Sequence, residues 1–233
     1  WRDREIVLDI MEELSGGRVA HAVNVIGGVR IDVDVPQVDS ILTRLNGLER
    51  QIETLLGVIQ HERTFQVRTR SVGHLSAEQV RRYCVVGPVA RASGVDVDLR
   101  RDAPYAAYDR LDFRVITAEE GDVWARALVR VQETIESLHL CRQLLAGLPG
   151  GPTTVRARRR VPPGEVISRA EAPRGELIYY IRSDGSDRPA RVKIRTPTLP
   201  ALSTLPDQLR GVHTADVPTV LAGVDLCIAC ADR

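Results

Sequence analysis

Lysine is almost absent from this 233-residue chain: Lys193 stands alone, and every other basic side chain among the 32 is arginine. So uniform a choice reflects a GC-rich coding bias more readily than a binding requirement, so no single arginine run is read as a site. The 31 acidic residues leave a net charge of only +1, which removes the electrostatic warrant for a nucleic-acid or anionic-membrane partner. Aromatics make up 4% of the chain, too few to interleave with basic residues as base-stacking platforms. No run approaches the ~20 apolar residues of a membrane span. The most apolar tail, 215–231, is broken by Asp216 and Asp225, so any membrane association is expected to run through a partner. Four cysteines are too few for a secreted disulfide framework and favour a reducing compartment. The chain opens on Trp1-Arg2-Asp3 with neither an initiator Met nor a signal pattern, and it reads as a piece of a longer protein.

What is present is ordinary for a folded protein: 43% hydrophobic and 27% charged residues, enough for a proper core. Ile6, Val7, Ile10, Met11 and Leu14 recur at three and four before Gly16-Gly17, which predicts a short amphipathic helix. Residues 25–33 read as glycine-interrupted extended chain. Pro36 sits where the first turn of a helix tolerates it, and from Val38 to Ile59 an apolar stripe runs on. A second stripe from Val123 to Leu145 ends at Pro149-Gly150-Gly151-Pro152. Two long helices, each apolar on one side, imply a bundle in which they pack together. Between them Ser76 and Gln79 form a capping signal for a short helix over 76–83, followed by a loop-rich stretch over 87–113.

After Pro152 the pattern changes to short β-rich runs. Leu177–Arg182 and Ala190–Arg195 flank a Gly-containing loop and predict a hairpin, with short helices over 199–209 and 215–224. The expected architecture is mainly α with small β elements: a helical-bundle portion over 1–150 and an α+β portion over 151–233, together one integrated domain of a longer subunit.

Cys227-Ile228-Ala229-Cys230 is the sharpest local feature, because two thiolates three positions apart can chelate one metal ion. Spacing alone leaves half a zinc site, a redox dithiol and a chance pair all open. Cys84 and Cys141 stand apart from it and from each other, and are expected to pack as small apolar residues. The five histidines fall at no ligand spacing. Arg156 and Arg158–Arg160 read as a solvated loop or subunit contact. Arg100, Arg101, Asp102, Tyr105 and Tyr108 form either a buried network or a subunit contact, and the sequence does not separate the two.

The string Asp225-Leu226-Cys227-Ile228-Ala229-Cys230-Ala231-Asp232-Arg233 resembles the C-terminal cysteine motif of nickel-iron hydrogenase large subunits, D-P-C-x-x-C-x-x-H or a final Arg in the energy-converting membrane-bound group. Upstream, Ala172-Pro173-Arg174-Gly175 resembles that family's A-P-R-G turn, and Thr196-Pro197-Thr198 weakly echoes its V-P-S/T loop. The three motifs occur in family order. Residues 90–109, 121–130 and 183–195 look like the quinone-site large subunit of NADH-quinone oxidoreductase, respiratory complex I, which shares the hydrogenase fold but has lost the cysteines. A complex-I-like body with hydrogenase cysteines is the pattern of the membrane-bound energy-converting hydrogenases, including the formate hydrogenlyase type. Leu226 departs from the usual Pro, and the family's N-terminal C-x-x-C has no counterpart in these 233 residues.

The resemblance implies that Cys227 and Cys230 are metal ligands, that Arg174 is held over the metals with Asp225 orienting it, and that Pro173 and Thr198 border the cofactor. It implies a nickel-iron centre in the intact subunit and none in the isolated chain, with quinone as the ligand under the complex I alternative and a purely structural role as the third. Implied partners are an iron–sulfur small subunit, other peripheral-arm subunits and membrane subunits, with no nucleic acid. The implied location is cytoplasmic, on the inner face of the membrane through those partners. On this basis Arg174, Asp225, Thr198 and the two cysteines are expected to converge on one cleft, with Asp225 in hydrogen-bond reach of Arg174.

Overall fold

The computed structural model describes residues 1–157 and 160–232; Arg158, Arg159 and the final Arg233 of the motif lie outside the described residues. Helix α1 (Arg2–Ser15) ends where Gly16 takes a left-handed conformation at φ 76°, as the double glycine predicts. The extended stretch that follows folds into a minimal hairpin, β1 (Asn24–Val25) and β2 (Gly28–Val29). Asp34 and Gln37 form a reciprocal capping box that starts α2 (Val35–His61), with Pro36 in its first turn. Glu62 ends α2 and caps α3 (Arg63–Thr69).

A second capping box, Ser76 with Gln79, opens α4 (Ala77–Arg82). The loop-rich stretch after it holds two single turns of helix, α5 (Pro88–Arg91) and α6 (Leu99–Asp102). Helix α7 (Val123–Ala146) is capped by Asp122, which accepts from Ala125 N and, through its other oxygen, from Ser71 N at 2.8 Å. One acidic residue therefore fixes both the start of α7 and the loop before α4.

The two long helices pack along each other as their stripes require. Ile41, Leu45 and Leu48 of α2 bury against Leu138 of α7, with Ile6, Leu14, Ile52 and Leu145 around them. At the edge of this seam Glu49 accepts from Arg142 at 2.5 Å and pairs with His139 at 3.0 Å. A second cluster joins Ile59 to Trp124, Ala125 and Val129. A third brings Leu75, Val80, Val85, Val89 and Ala90 together with Ala201 and Val224, so both halves of the chain share it.

The second half is built on an antiparallel meander, β3 (Gly164–Ala172), β4 (Gly175–Ser183) and β5 (Pro189–Arg195). The predicted hairpin is β4–β5; β3, which carries no clean alternation, adds the third strand. The closing helices are α8 (Thr198–Ser203), α9 (Leu205–Gln208), α10 (Val217–Val224) and α11 (Ile228–Ala231). Pro206 and Pro218 each sit in a first helical turn, which is why they divide this region into short helices without breaking any of them.

Two expectations fail. Cys84 and Cys141 are exposed. Cys84 follows the last turn of α4 with φ 54°, where Cys84 N bonds Arg81 O and Val85 N bonds Val80 O, the paired bonds of a Schellman motif. Its place is set by the backbone, not by packing. Cys141 follows Leu138 by three on α7 but stays outside the cluster that Leu138 and Leu145 share with α2, although partial burial still pushes its thiol pKa up. No sequence pattern announces Arg126, fully buried on the same helix. Its guanidinium donates to Gln208 Oε1 at 2.6 Å, Gly73 O at 2.7 Å and Gly121 O at 2.9 Å. Burial without a paired carboxylate pulls its pKa down to about 10.

Candidate functional site

Pro173 and Arg174 form the two-residue turn between Ala172, the end of β3, and Gly175, the start of β4. The turn is held from behind. Gly87, at φ 72° before α5, lies so close that a Cβ on it would stand 2.3 Å from Arg174 O and 2.5 Å from Gly175 Cα. A Cβ on Gly175 (φ 124°) would in turn meet Gly87 N at 2.7 Å. Two backbones cross where neither has a side chain, and this contact fixes the base of Arg174.

From that base Arg174 reaches the end of α10. Its Nε donates to Asp225 O at 2.7 Å and its Nη2 to Asp225 Oδ1 at 3.1 Å, a charge-assisted pair. Asp225 itself adopts the left-handed conformation at φ 57°, ψ 58°, which aspartate tolerates better than most residues. The chain turns there and places Cys227 and Cys230 at the start and within α11. Thr196 Oγ1 donates to Cys230 O at 2.7 Å, so the tail is tied to the end of β5.

The thiols are half-buried and unequal. Cys227 is held below the ordinary thiol value, first by the N–H of Cys230 and then by the Cys230 thiol, with the Arg174 charge adding. Cys230 is pushed up by burial and by its bond to Cys227, against the opposing pull of Thr198 and Arg174. One thiolate beside one thiol is the arrangement a pair adopts when charge favours only one anion.

Arg174, Thr198 and Asp225 line one small pocket with Pro88 and Arg130. Thr198 Oγ1 is buried there without a hydrogen bond of good geometry; the Cys230 thiol is the neighbour it faces and whose anion it favours. Pro173 faces the other way, into an adjoining cleft of about 430 Å³ that shares Pro88, Arg130 and Asp225 with the pocket. Of the six residues singled out in the sequence, Arg174, Thr198 and Asp225 share this pocket, Pro173 lines the adjoining cleft, and the two thiols stand beside the pocket without lining it. Among the described residues no group of three or more His, Cys, Asp and Glu side chains could hold a metal ion, so the thiols stand as a pair.

Several neighbours have no motif to announce them. Arg130 Nη2 donates to Gly223 O at 2.8 Å, so two guanidiniums, Arg130 and Arg174, hold the C-terminal end of α10. Burial lowers the Arg130 pKa against the support of Asp225 and Glu133. Behind it Arg91, 2% exposed, binds Glu133 at 2.6 Å, Glu171 at 2.9 Å and Asp98 at 3.3 Å. Burial raises the Glu171 pKa even so. Of the polar stretch read from sequence, Arg100 joins this network through Asp98 at 2.7 Å; Arg101 stays exposed on Asp96 and Asp102.

Comparison with known proteins places the chain as a whole. The chain is 42% identical over 231 residues to the carbon monoxide-induced hydrogenase of Rhodospirillum rubrum. It is 36% identical over 235 residues to an NADH-quinone oxidoreductase subunit of Clostridium beijerinckii and 38% identical over 240 residues to an F420H2 dehydrogenase subunit of Methanosarcina mazei. At least 99% of this chain is matched in each case, and it spans 64% of the length of each relative. Among solved structures, a chain of the membrane-bound sulfane sulfur reductase, an archaeal respiratory membrane complex, superposes with a TM-score of 0.93 at 33% identity, over 100% of this chain and 65% of that one. No helix among the described residues is long and apolar enough to cross a membrane. Residues 1–161 and 153–233 match the respiratory-chain NADH dehydrogenase 49 kDa subunit, and the chain belongs to that family.

Proposed function

We propose that this chain is part of the large subunit of an energy-converting nickel-iron hydrogenase, and that Cys227 and Cys230 supply one thiolate pair to its metal centre. The observation that carries this reading is the convergence of both thiols with the Arg174–Asp225 pair and the orphaned Thr198 hydroxyl. The donor set suits the group: soft thiolates bind nickel, a fixed cation stands beside them, and an unpaired buried hydroxyl faces the same space. These residues make up half of a four-thiolate set.

A bound nickel-iron centre would supply the chemistry that interconverts hydrogen with protons and electrons. The protein's share is electrostatic and positional. Arg174 is held by two bonds to Asp225 and keeps a positive charge at the pocket, favouring thiolate at Cys227. Asp225 orients that guanidinium. Electrons would leave to an iron–sulfur partner subunit, because no four-cysteine cluster motif occurs in these 233 residues.

Purifying the complex that contains this chain and measuring its nickel, its iron and its isotope exchange between deuterium gas and water tests the reading. Nickel that is lost in Cys227→Ser and Cys230→Ser supports it. A nickel-free complex that reduces quinone would replace it with the quinone-site subunit reading, to which the NADH-quinone oxidoreductase relatives point.

A further inference from the structure

The meander carries a charge pattern that its own packing does not use. Strand β5 alternates strictly: Arg191, Lys193 and Arg195 lie on one face of the sheet, Val192 and Ile194 on the other. The register sets Arg182 of β4 directly opposite Arg191 on that basic face, and like charges opposed across two strands are destabilising. Arg169 of β3 joins the row of Arg195 through Ile178. Charges on an edge strand guard against stray pairing, which accounts for β5 alone. Arg182 stands on the central strand, where there is no edge to guard.

Little on the face neutralises these cations. Glu176 is shared between Arg169 and, at 3.2 Å, Arg195. Arg182, Arg191 and Lys193 are exposed, and among the described residues none of them has a carboxylate within ion-pair reach. Glu165, in the row of Arg182 and Arg191, is turned to the Tyr180 hydroxyl; Asp184, in the adjoining loop, accepts from Ser186 N at 2.9 Å. At the foot of the face, beside Arg169 and Arg195, a cleft of about 350 Å³ opens against α4 and α5. Val80, Val86 and Ala90 line it, and Arg81, exposed and also without an ion-pair partner among the described residues, stands at its rim.

The surface fits a ligand with aliphatic groups at one end and carboxylates along the rest. In an extended chain alternate residues stand about 6.6–6.8 Å apart, the same period as the cations of β5, so carboxylates at every second position meet Arg195, Lys193 and Arg191 in turn. A lipid surface has no such period. We propose that this face docks an extended acidic segment of a partner polypeptide, its carboxylates alternating along β5 and its aliphatic end in the cleft. The site is separate from the thiol pair and independent of any metal there.

The probe is a fluorescein-labelled peptide, Leu-Leu-Thr-Glu-Thr-Glu-Thr-Glu, titrated with the full chain and followed by fluorescence anisotropy. Binding should saturate at low salt and weaken as salt rises. The double variant Arg191→Glu, Lys193→Glu should weaken it about tenfold or more. Arg50→Glu with Arg63→Glu, the same charge change at exposed positions of α2 and α3, should bind as the wild type does. Arg182→Gln relieves the opposed arginines, so it should weaken binding while Tm holds or rises, which keeps loss of binding apart from loss of fold. The rearranged peptide Leu-Leu-Thr-Thr-Thr-Glu-Glu-Glu should bind more weakly than the alternating one. Absence of saturable binding, equal binding by the Arg191 and Lys193 double variant, or equal binding of the rearranged peptide would each overturn the assignment. Sedimentation of the chain with phosphatidylglycerol vesicles but no binding of the peptide would give the face to a membrane instead.

Discussion

Adding one methyl group at Gly87 is the most severe single perturbation the site geometry identifies. The backbone there has φ 72° and ψ −153°, a region essentially reserved for glycine, and forcing another residue into it costs about 1–3 kcal/mol. The new Cβ would also stand 2.3 Å from Arg174 O, and the obstacle is backbone that cannot rotate away. Overpacking of that kind adds about 1–3 kcal/mol, for roughly 2–6 kcal/mol in all against a total stability of about 5–15 kcal/mol. At about 2–4 °C per kcal/mol for a chain of this size, Gly87→Ala should lower Tm by roughly 5–20 °C in a thermal scan. Gly57 is the control: it lies inside α2 with nothing within 4 Å of an added Cβ, so Gly57→Ala should stabilise by about 0.5–1 kcal/mol and raise Tm slightly. The same chemical change thus carries opposite signs at two glycines. A Gly87→Ala protein melting with or above the wild type would show that the two backbones do not cross as described.

Leu48→Ala, at 2% exposure on the α2–α7 seam, should cost about 2–5 kcal/mol in urea unfolding with little change in m-value. Arg91→Met should be worse than an ordinary core change, at about 3–5 kcal/mol, because it strands Glu133 and Glu171 and leaves Asp98 to Arg100 alone; replacing Glu171 with Gln at the same time should recover part of the loss. The Glu49 pKa lies below the ordinary value near 4.5, chiefly through its bond to Arg142, which outweighs the opposing cost of burial, with His139 adding less. Its contribution to stability is therefore full above that value and disappears as pH falls through the lowered one, so Glu49→Gln should flatten the acid limb of a Tm–pH curve. The 233-residue chain expressed by itself should show neither stoichiometric nickel and iron nor hydrogen uptake, since two thiolates fill half of a four-thiolate set; elemental analysis finding both metals at one per chain would contradict this.

Local signals and long-range geometry differ in how far the sequence exposes them. The capping signal at Ser76, Pro36 in the first turn of α2, the stripe of α2 and the β4–β5 loop are contained in a few adjacent residues, and each forms where the pattern places it. The convergence of Arg174 with Asp225 and the thiols is legible only through resemblance, because no periodicity relates residues 51 positions apart. Arg130 and Gly87 are not legible at all. An arginine on a helix reads as solvated until a distant carbonyl, here Gly223 O, is known to face it, and a glycine before a proline reads as a turn until another backbone is found pressed against it. Cys84 departs from its expected packing for the related reason that a helix C-terminus, not a core, sets its conformation.

The crossing at Gly87 also bears on the order in which the chain assembles. The meander closes through a two-residue turn and a short loop, contacts that cost little loop entropy and form early. Gly87 and Gly175 are 88 positions apart (175 − 87), and the pocket draws on five separated segments from Pro88 to Asp225. Closing such contacts is slow because the entropy is lost before the contact rewards it. The sheet is thus expected to exist as a folded unit before it docks, with the thiol segment settling last. Pulse-labelled hydrogen exchange during refolding would then see the amides of Ile178–Ile181 protected ahead of those of Cys230 and Ala231, and any metal loading would have to wait for that final docking step.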